Sequence, residues 1–174
     1  MPGERGGQES PPSLIGIMRD KSLIEKSVGS FIEGTDMYIV EIKILQGNVI
    51  EVVLDSDTSV GLDDCARINR MLREALDDSA DDEDFELTVC SAGLTEPFKL
   101  LRQYRKNVGK EVEVIRKSGV KQRGILYSVD NNFAELRYSV AEKLPGAKRK
   151  TLREHNEQIP LDEIKSTKLH IKIQ

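Results

Sequence analysis

Apolar residues recur at helical spacing from Asp20 onward. Leu23, Ile24, Ser27, Val28, Phe31 and Ile32 fall on one face, Lys21, Glu25 and Lys26 lie off it, and Gly34 marks a stop. Residues 37–45 alternate as a strand, Gln46-Gly47-Asn48 is a turn, and residues 49–54 form a second strand, so the pair reads as a hairpin. Residues 62–76 give the clearest helix. Leu62, Cys65, Ile68, Asn69, Leu72 and Leu76 share a broad face, and Asp63 and Asp64 sit in the first turn, where carboxylates suit the helix dipole. Residues 77–84 form an acidic loop, and residues 85–90 a third strand. Strand two, helix and strand three make a crossover unit, which joins parallel strands. Two helices on a three-stranded sheet would close this first core.

A different pattern follows. Residues 98–105 predict a short helix. Strands are expected over 111–117, 122–129, 133–138, 158–160 and 168–173, with turns at Ser118-Gly119 and Asp130-Asn131-Asn132. Short strands at this spacing suggest a small barrel. Residues 139–156, with Pro145, Gly146 and Lys148-Arg149-Lys150, read as an extended loop or long hairpin. Residues 1–19, rich in Gly and Pro and without a period, read as a flexible tail. The expected organisation is therefore a tail over 1–19, an α+β domain over 20–95 and a small all-β barrel over 96–174.

Charge divides at the same place. Residues 21–95 carry 6 Lys and Arg against 17 Asp and Glu, whereas residues 96–174 carry 18 against 10. The formal net charge of −4 thus averages an acidic body and a basic one. Such asymmetry points to a charged partner, often nucleic acid. Each half holds roughly 75–80 residues, near the lower size for an independent core. No apolar run approaches the ~18–20 residues of a membrane span, and no secretion signal is visible. Cys65 and Cys90 lack metal spacing and read as reduced, buried thiols of a cytosolic chain.

The basic half supplies the candidate site. Lys99, Arg102, Arg105 and Lys106 can share one side of the short helix. Lys110, Arg116, Lys117, Lys121 and Arg123 follow on the first barrel hairpin, and Lys148, Arg149, Lys150 and Arg153 load the loop. Cations in this density neutralise phosphates without reading sequence. Tyr104, Tyr127, Phe133 and Tyr138 interleave with them and could instead fill the barrel core or stack bases. A rival chemistry lies at Asp55-Ser56-Asp57. An Asp-x-Asp after a strand resembles the nucleophile and acid/base pair of haloacid-dehalogenase-like, magnesium-dependent phosphohydrolases. That reaction also needs a later lysine and an acidic magnesium pair on parallel strands. As a calcium loop the segment fails, with Val60 at position six and Ala66 at position twelve. No phosphate-cradling glycine loop is present. A stand-alone RNA-binding module is a third reading.

The seam between the halves carries a resemblance. Phe85-Glu86-Leu87-Thr88-Val89-Cys90-Ser91-Ala92-Gly93-Leu94-Thr95-Glu96-Pro97-Phe98 resembles the signature of the bacterial RimP family, a strand ending in Leu-Glu-Val-Ser-Ser-Pro-Gly-Leu-x-x-Pro-Leu. Leu54-Asp55, Gly61-Leu62-Asp63-Asp64-Cys65, Asn69-Arg70 and Leu76-Asp77 are similar to its second motif. Gly109-Lys110-Glu111-Val112 and Arg123-Gly124-Ile125-Leu126 match its barrel half. Ala92, Cys90 and Phe98 depart from the usual Pro, Ser and Leu, and residues 139–156 are longer than the common loop.

The resemblance implies an N-terminal α/β domain and a C-terminal Sm-like, SH3-like barrel. It implies a cytoplasmic, non-enzymatic factor that assists late assembly of the free small (30S) ribosomal subunit. The family's link is to docking of small-subunit ribosomal protein twelve and to the nearby RNA core. A monomer without cofactor or metal is expected. Ser91, Gly93 and Pro97 are the expected hinge, with Gly93 permissive and Pro97 stiff.

Overall fold

A computed structural model describes residues 21–77 and 84–172. The tail expected over 1–19 lies outside the described residues, as does most of the acidic loop. The chain divides into two compact units between Ser91 and Ala92.

The first unit runs α1 (Lys21–Ile32), β1 (Met37–Leu45), β2 (Val49–Ser56), α2 (Leu62–Asp77) and β3 (Glu86–Ser91). Its sheet has the order β1-β2-β3. β1 and β2 are antiparallel, and the crossover through α2 returns β3 parallel to β2, with Val49 opposite Glu86 and Leu54 opposite Ser91. Ile24, Val28 and Ile32 recur every four residues and bury one stripe of α1. Cys65, Ile68, Leu72 and Leu76 do the same on α2. Both stripes join Ile50, Val52 and Leu54, the inward residues of β2, in one core. Asn69 sits on the same side of α2, and its Nδ2 donates to the Leu87 carbonyl at 3.2 Å, tying the helix to β3. Leu62 does not join this stripe; it is 90% exposed. It opens the helix at the edge of the stripe, where no preceding turn supports it.

The second unit runs α3 (Leu101–Lys106), β4 (Glu111–Arg116), β5 (Lys121–Val129), β6 (Phe133–Glu142), β7 (Thr151–Pro160), a 3-10 turn (Leu161–Glu163) and β8 (Ile164–Leu169). All neighbours in the sheet, ordered β7-β6-β5-β4-β8, are antiparallel. Val112, Val114, Leu126, Ala134, Leu136 and Ile159 form its core. Among the described residues no strand ladder joins β7 to β8.

Helix α3 docks on this core. Phe98 meets Tyr104 edge to face at 5.1 Å, and the Tyr104 hydroxyl donates to Thr167 Oγ1 at 2.8 Å. The buried Gln103 side chain accepts from the backbone N–H groups of Lys99 and Leu100, filling part of the helix's donor deficit. The expected turn at Asp130 forms around its own carboxylate, which accepts from the N–H groups of Asn132 and Phe133 at 2.7 Å each.

Several boundaries differ from expectation, among them α3, which begins at Leu101 rather than at 98. The segment 139–156 is largely strand: β6 and β7 pair continuously from Phe133–Pro160 to Glu142–Thr151. Its charged residues masked the alternation, because this distal ribbon has little core to cover. The last strand spans Ile164–Leu169 rather than 168–173, and residue 173 lies outside the described residues.

Candidate nucleic-acid interface

The predicted cations fall into three groups. Lys99, Arg102 and Arg105 are exposed along α3 and the turn before it, and Lys106 is half-buried. Arg105 Nη2 reaches Asn131 Oδ1 at 3.4 Å, and Lys110 Nζ donates to Asn107 Oδ1 at 3.2 Å. Lys148, Arg149 and Lys150 are exposed at the tip of the β6–β7 hairpin. Arg153 belongs to β7 rather than to a loop, and its Nη1 lies 3.6 Å from the Glu142 carboxylate.

All of the remaining cations but Lys117 serve the sheet itself. Glu113 stands on β4, directly opposite Arg123 on β5 and Lys168 on β8. Arg123 Nε donates to its carboxylate at 3.0 Å, and Lys121 and Lys168 lie at 3.6 and 4.0 Å. The hydrogen bond from Arg123 leads the other effects in holding the Glu113 carboxyl below its ordinary range, against desolvation. Arg116 pairs with Glu157 of β7, and Tyr138 donates to the same carboxylate at 3.0 Å. The Arg116 contact is again the largest cause of a lowered Glu157 carboxyl. Arg116, Lys121, Arg123 and Arg153 therefore have carboxylates beside them, whereas Lys117 and the tip residues Lys148, Arg149 and Lys150 stand exposed with no ion-pair partner among the described residues.

Two cations of this surface were missed in the sequence. Lys168 converges on Glu113. Arg137 lies over Tyr127, its guanidinium carbon 3.1 Å from the ring centroid. Strand register brings these groups together, and register is not visible in spacing along one strand.

The rival site is not assembled. Asp55 Oδ1 accepts from the Ser56 N–H at 2.8 Å, and Asp57 follows β2 in a bend, its N–H reaching the Asp36 carbonyl. The one strand parallel to β2 places Cys90 and Ser91 opposite Val53 and Leu54, where the phosphohydrolase pattern calls for lysine or acidic residues. Among the described residues no three His, Cys, Asp or Glu side chains group to hold a metal. Both cysteines are free, Cys65 buried and Cys90 half-buried, and burial pushes both thiols up.

At the seam, Ser91 ends β3, and the Glu96 N–H donates to the Gly93 carbonyl at 3.0 Å, closing a tight turn before Pro97. Gly93 does not use a positive φ there.

Comparison with known proteins decides the family. The model of the RimP N-terminal domain matches residues 27–95. A protein of Christiangramia forsetii named ribosome maturation factor RimP is 33% identical over 141 residues, 81% of this chain and 90% of its own length. The chain belongs to the RimP family. Relatives of the same name from Porphyromonas gingivalis and Flavobacterium psychrophilum agree, at 35% identity over 76% of this chain and 32% over 80%, each with 86% of its own length covered. Membership of the RimP family extends past the matched N-terminal domain into the basic unit. No described helix is long and apolar enough to cross a membrane.

Proposed function

We propose that this chain is a non-enzymatic assembly factor that binds the free small (30S) ribosomal subunit and assists its late maturation in the cytoplasm. The observation that carries this reading is the match, over about four fifths of the chain, to relatives named for ribosome maturation. The distribution of charge supports it. The exposed cations of the hairpin tip, Lys148, Arg149 and Lys150, are free to meet ribosomal RNA, and those on and before α3 add to them. The acidic first unit suits a basic ribosomal protein, with small-subunit protein twelve the proposed partner. The chain acts as a monomer and needs no cofactor.

The second unit is read as a small Sm-like, SH3-like barrel. Its five antiparallel strands follow the order β7-β6-β5-β4-β8 behind a short helix. Irregularities between Ile115 and Arg116 and between Leu126 and Ser128 supply the bends that curvature requires.

Sucrose-gradient sedimentation tests the function. The protein is expected to travel with free small subunits at low salt. Failure to do so, with the protein folded, overturns the reading.

A further inference from the structure

One face of the five-stranded sheet covers the core of the second unit, and the opposite face carries an organised surface. Strand register sets Glu111, Ile125, Arg137 and Asn156 in one row, with Glu113, Arg123 and Lys168 in the next. At the bulge between Leu126 and Ser128, β5 has one more residue than β6, and that residue is Tyr127. Bulges re-aim side chains, and here the Arg137 guanidinium lies over the Tyr127 ring. Tyr127 is nevertheless 46% exposed, and Ile125 beside it is exposed as well. Gly124 holds the two strands close: a Cβ there would come within 2.5 Å of the Arg137 carbonyl oxygen.

Charge selects the partner. Arg137 covers the aromatic, Lys121, Arg123 and Lys168 gather at Glu113 further along the same face, and Lys172 meets Glu111, while Glu135 stands opposite Ser128 beside the bulge. Glu113 is buried beneath its cations, with a side chain only 6% exposed, so the cations of this face outnumber its half-buried carboxylates, Glu111 and Glu135. An exposed ring and a planar guanidinium within a cationic field are the elements that hold unpaired bases and their phosphates. An apolar protein surface would gain from Ile125 and Tyr127, but it would have to desolvate the surrounding cations.

We propose that this outer sheet face binds single-stranded RNA by stacking a base on the Tyr127–Arg137 pair. The proposal rests on the reading that the basic unit meets ribosomal RNA, and it adds where and by what contact an unpaired nucleotide is held. Stacking on aromatic side chains tolerates any base, so the face reads single-strandedness more than sequence.

The chain contains no tryptophan, so Tyr127→Trp in the full chain makes a single indole reporter. Decaadenylate and decauridylate are the probes, with a fluorescein-labelled copy of each followed by anisotropy. Binding is expected to quench the indole at 127, and more strongly with decaadenylate. Leu62→Trp, on the exposed start of α2, should not respond. Tyr127→Ala should weaken oligonucleotide binding about tenfold, whereas Tyr127→Phe should retain it. Thermal melts check that each variant folds. Binding without quenching at 127, unchanged affinity in Tyr127→Ala, or no oligonucleotide binding at low salt overturns the proposal. So does quenching by RNA-free ribosomal proteins but not by oligonucleotides, which would make this a protein-binding face. Sedimentation of the unsubstituted chain with small subunits reports separately on the assembly reading.

Discussion

Arg123 Nε lies 3.0 Å from Glu113 Oε2, and the carboxylate it meets is buried between strands β4, β5 and β8. One of the cations that reads from sequence as a phosphate ligand is thereby also a lid on a carboxylate. Its charge is shared inward, and Lys121 and Lys168 are drawn to the same point. Removing Glu113 leaves three cations facing one another. Glu113→Ala is expected to cost about 1–2 kcal/mol in urea unfolding at neutral pH, a modest figure because the cations remain partly in water.

The same carboxylate sets a pH dependence. Its pKa is lowered in the folded state by Arg123 and the neighbouring lysines. Its contribution is therefore fully present above the ordinary Glu range, and it is lost as pH falls through the lower, folded value. Glu157, lowered by Arg116, contributes with the same sign. Urea midpoints of Glu113→Gln and the unsubstituted protein should differ at pH 7 and converge as the pH drops below the ordinary carboxylate range. A gap that persists at acid pH would mean that Glu113 acts by shape, not charge.

Arg116 belongs to the fold more than to the interface. It pairs with Glu157, whose other oxygen accepts from Tyr138, so one carboxylate links β4, β6 and β7. Arg116→Ala should lower unfolding stability by about 2–4 kcal/mol, since it strands a partly buried charge. The salt dependence of subunit binding should keep its slope. A slope reduced by about one would instead assign Arg116 a phosphate contact.

The hairpin tip is expected to behave in the opposite way. Lys148→Glu, Arg149→Glu and Lys150→Glu combined change exposed positions beyond any core, so stability should stay within about 0.5 kcal/mol. Small-subunit binding should weaken, and its dependence on salt should flatten. Equal slopes before and after the change would show that the tip faces solvent in the complex.

Gly124 tests the close approach of β5 and β6. A methyl group there meets the Arg137 carbonyl oxygen at 2.5 Å and Leu136 Cγ at 3.0 Å, and backbone cannot yield as a flexible side chain can. Gly124→Ala is expected to cost about 1–3 kcal/mol, with hydrogen exchange accelerated along β6 ahead of the other strands. Protection lost evenly over the sheet would place the strain elsewhere.

Much of the architecture was legible because burial leaves a period. The stripes Ile24–Val28–Ile32 and Cys65–Ile68–Leu72–Leu76, and the alternation of Ile50, Val52 and Leu54, follow from covering a single core with helices and a half-buried sheet. The distal β6–β7 ribbon was harder to read. Its positions 139–142 and 151–154 pair only with each other, so hydrogen bonding shapes it where hydrophobic contrast is weak. The candidate cations were legible as residue types and as a regional excess. Their division into structural and exposed groups was not.

The amino-acid order by itself determined the acidic and basic character of the halves, the motif over residues 85–98 and the family. These depend on composition, local periodicity and short motifs, which are properties of neighbouring residues along the chain. Only the tertiary structure decided that Glu113 gathers Lys121, Arg123 and Lys168, that Arg116 answers Glu157, and that Arg137 covers Tyr127. The partners of Glu113 and Tyr127 come from neighbouring strands set by register, whereas Arg116 and Glu157 lie on β4 and β7, which do not pair with each other. A one-residue slip in the pairing of β4 with β5 and β8 would send the partners of Glu113 to the opposite face.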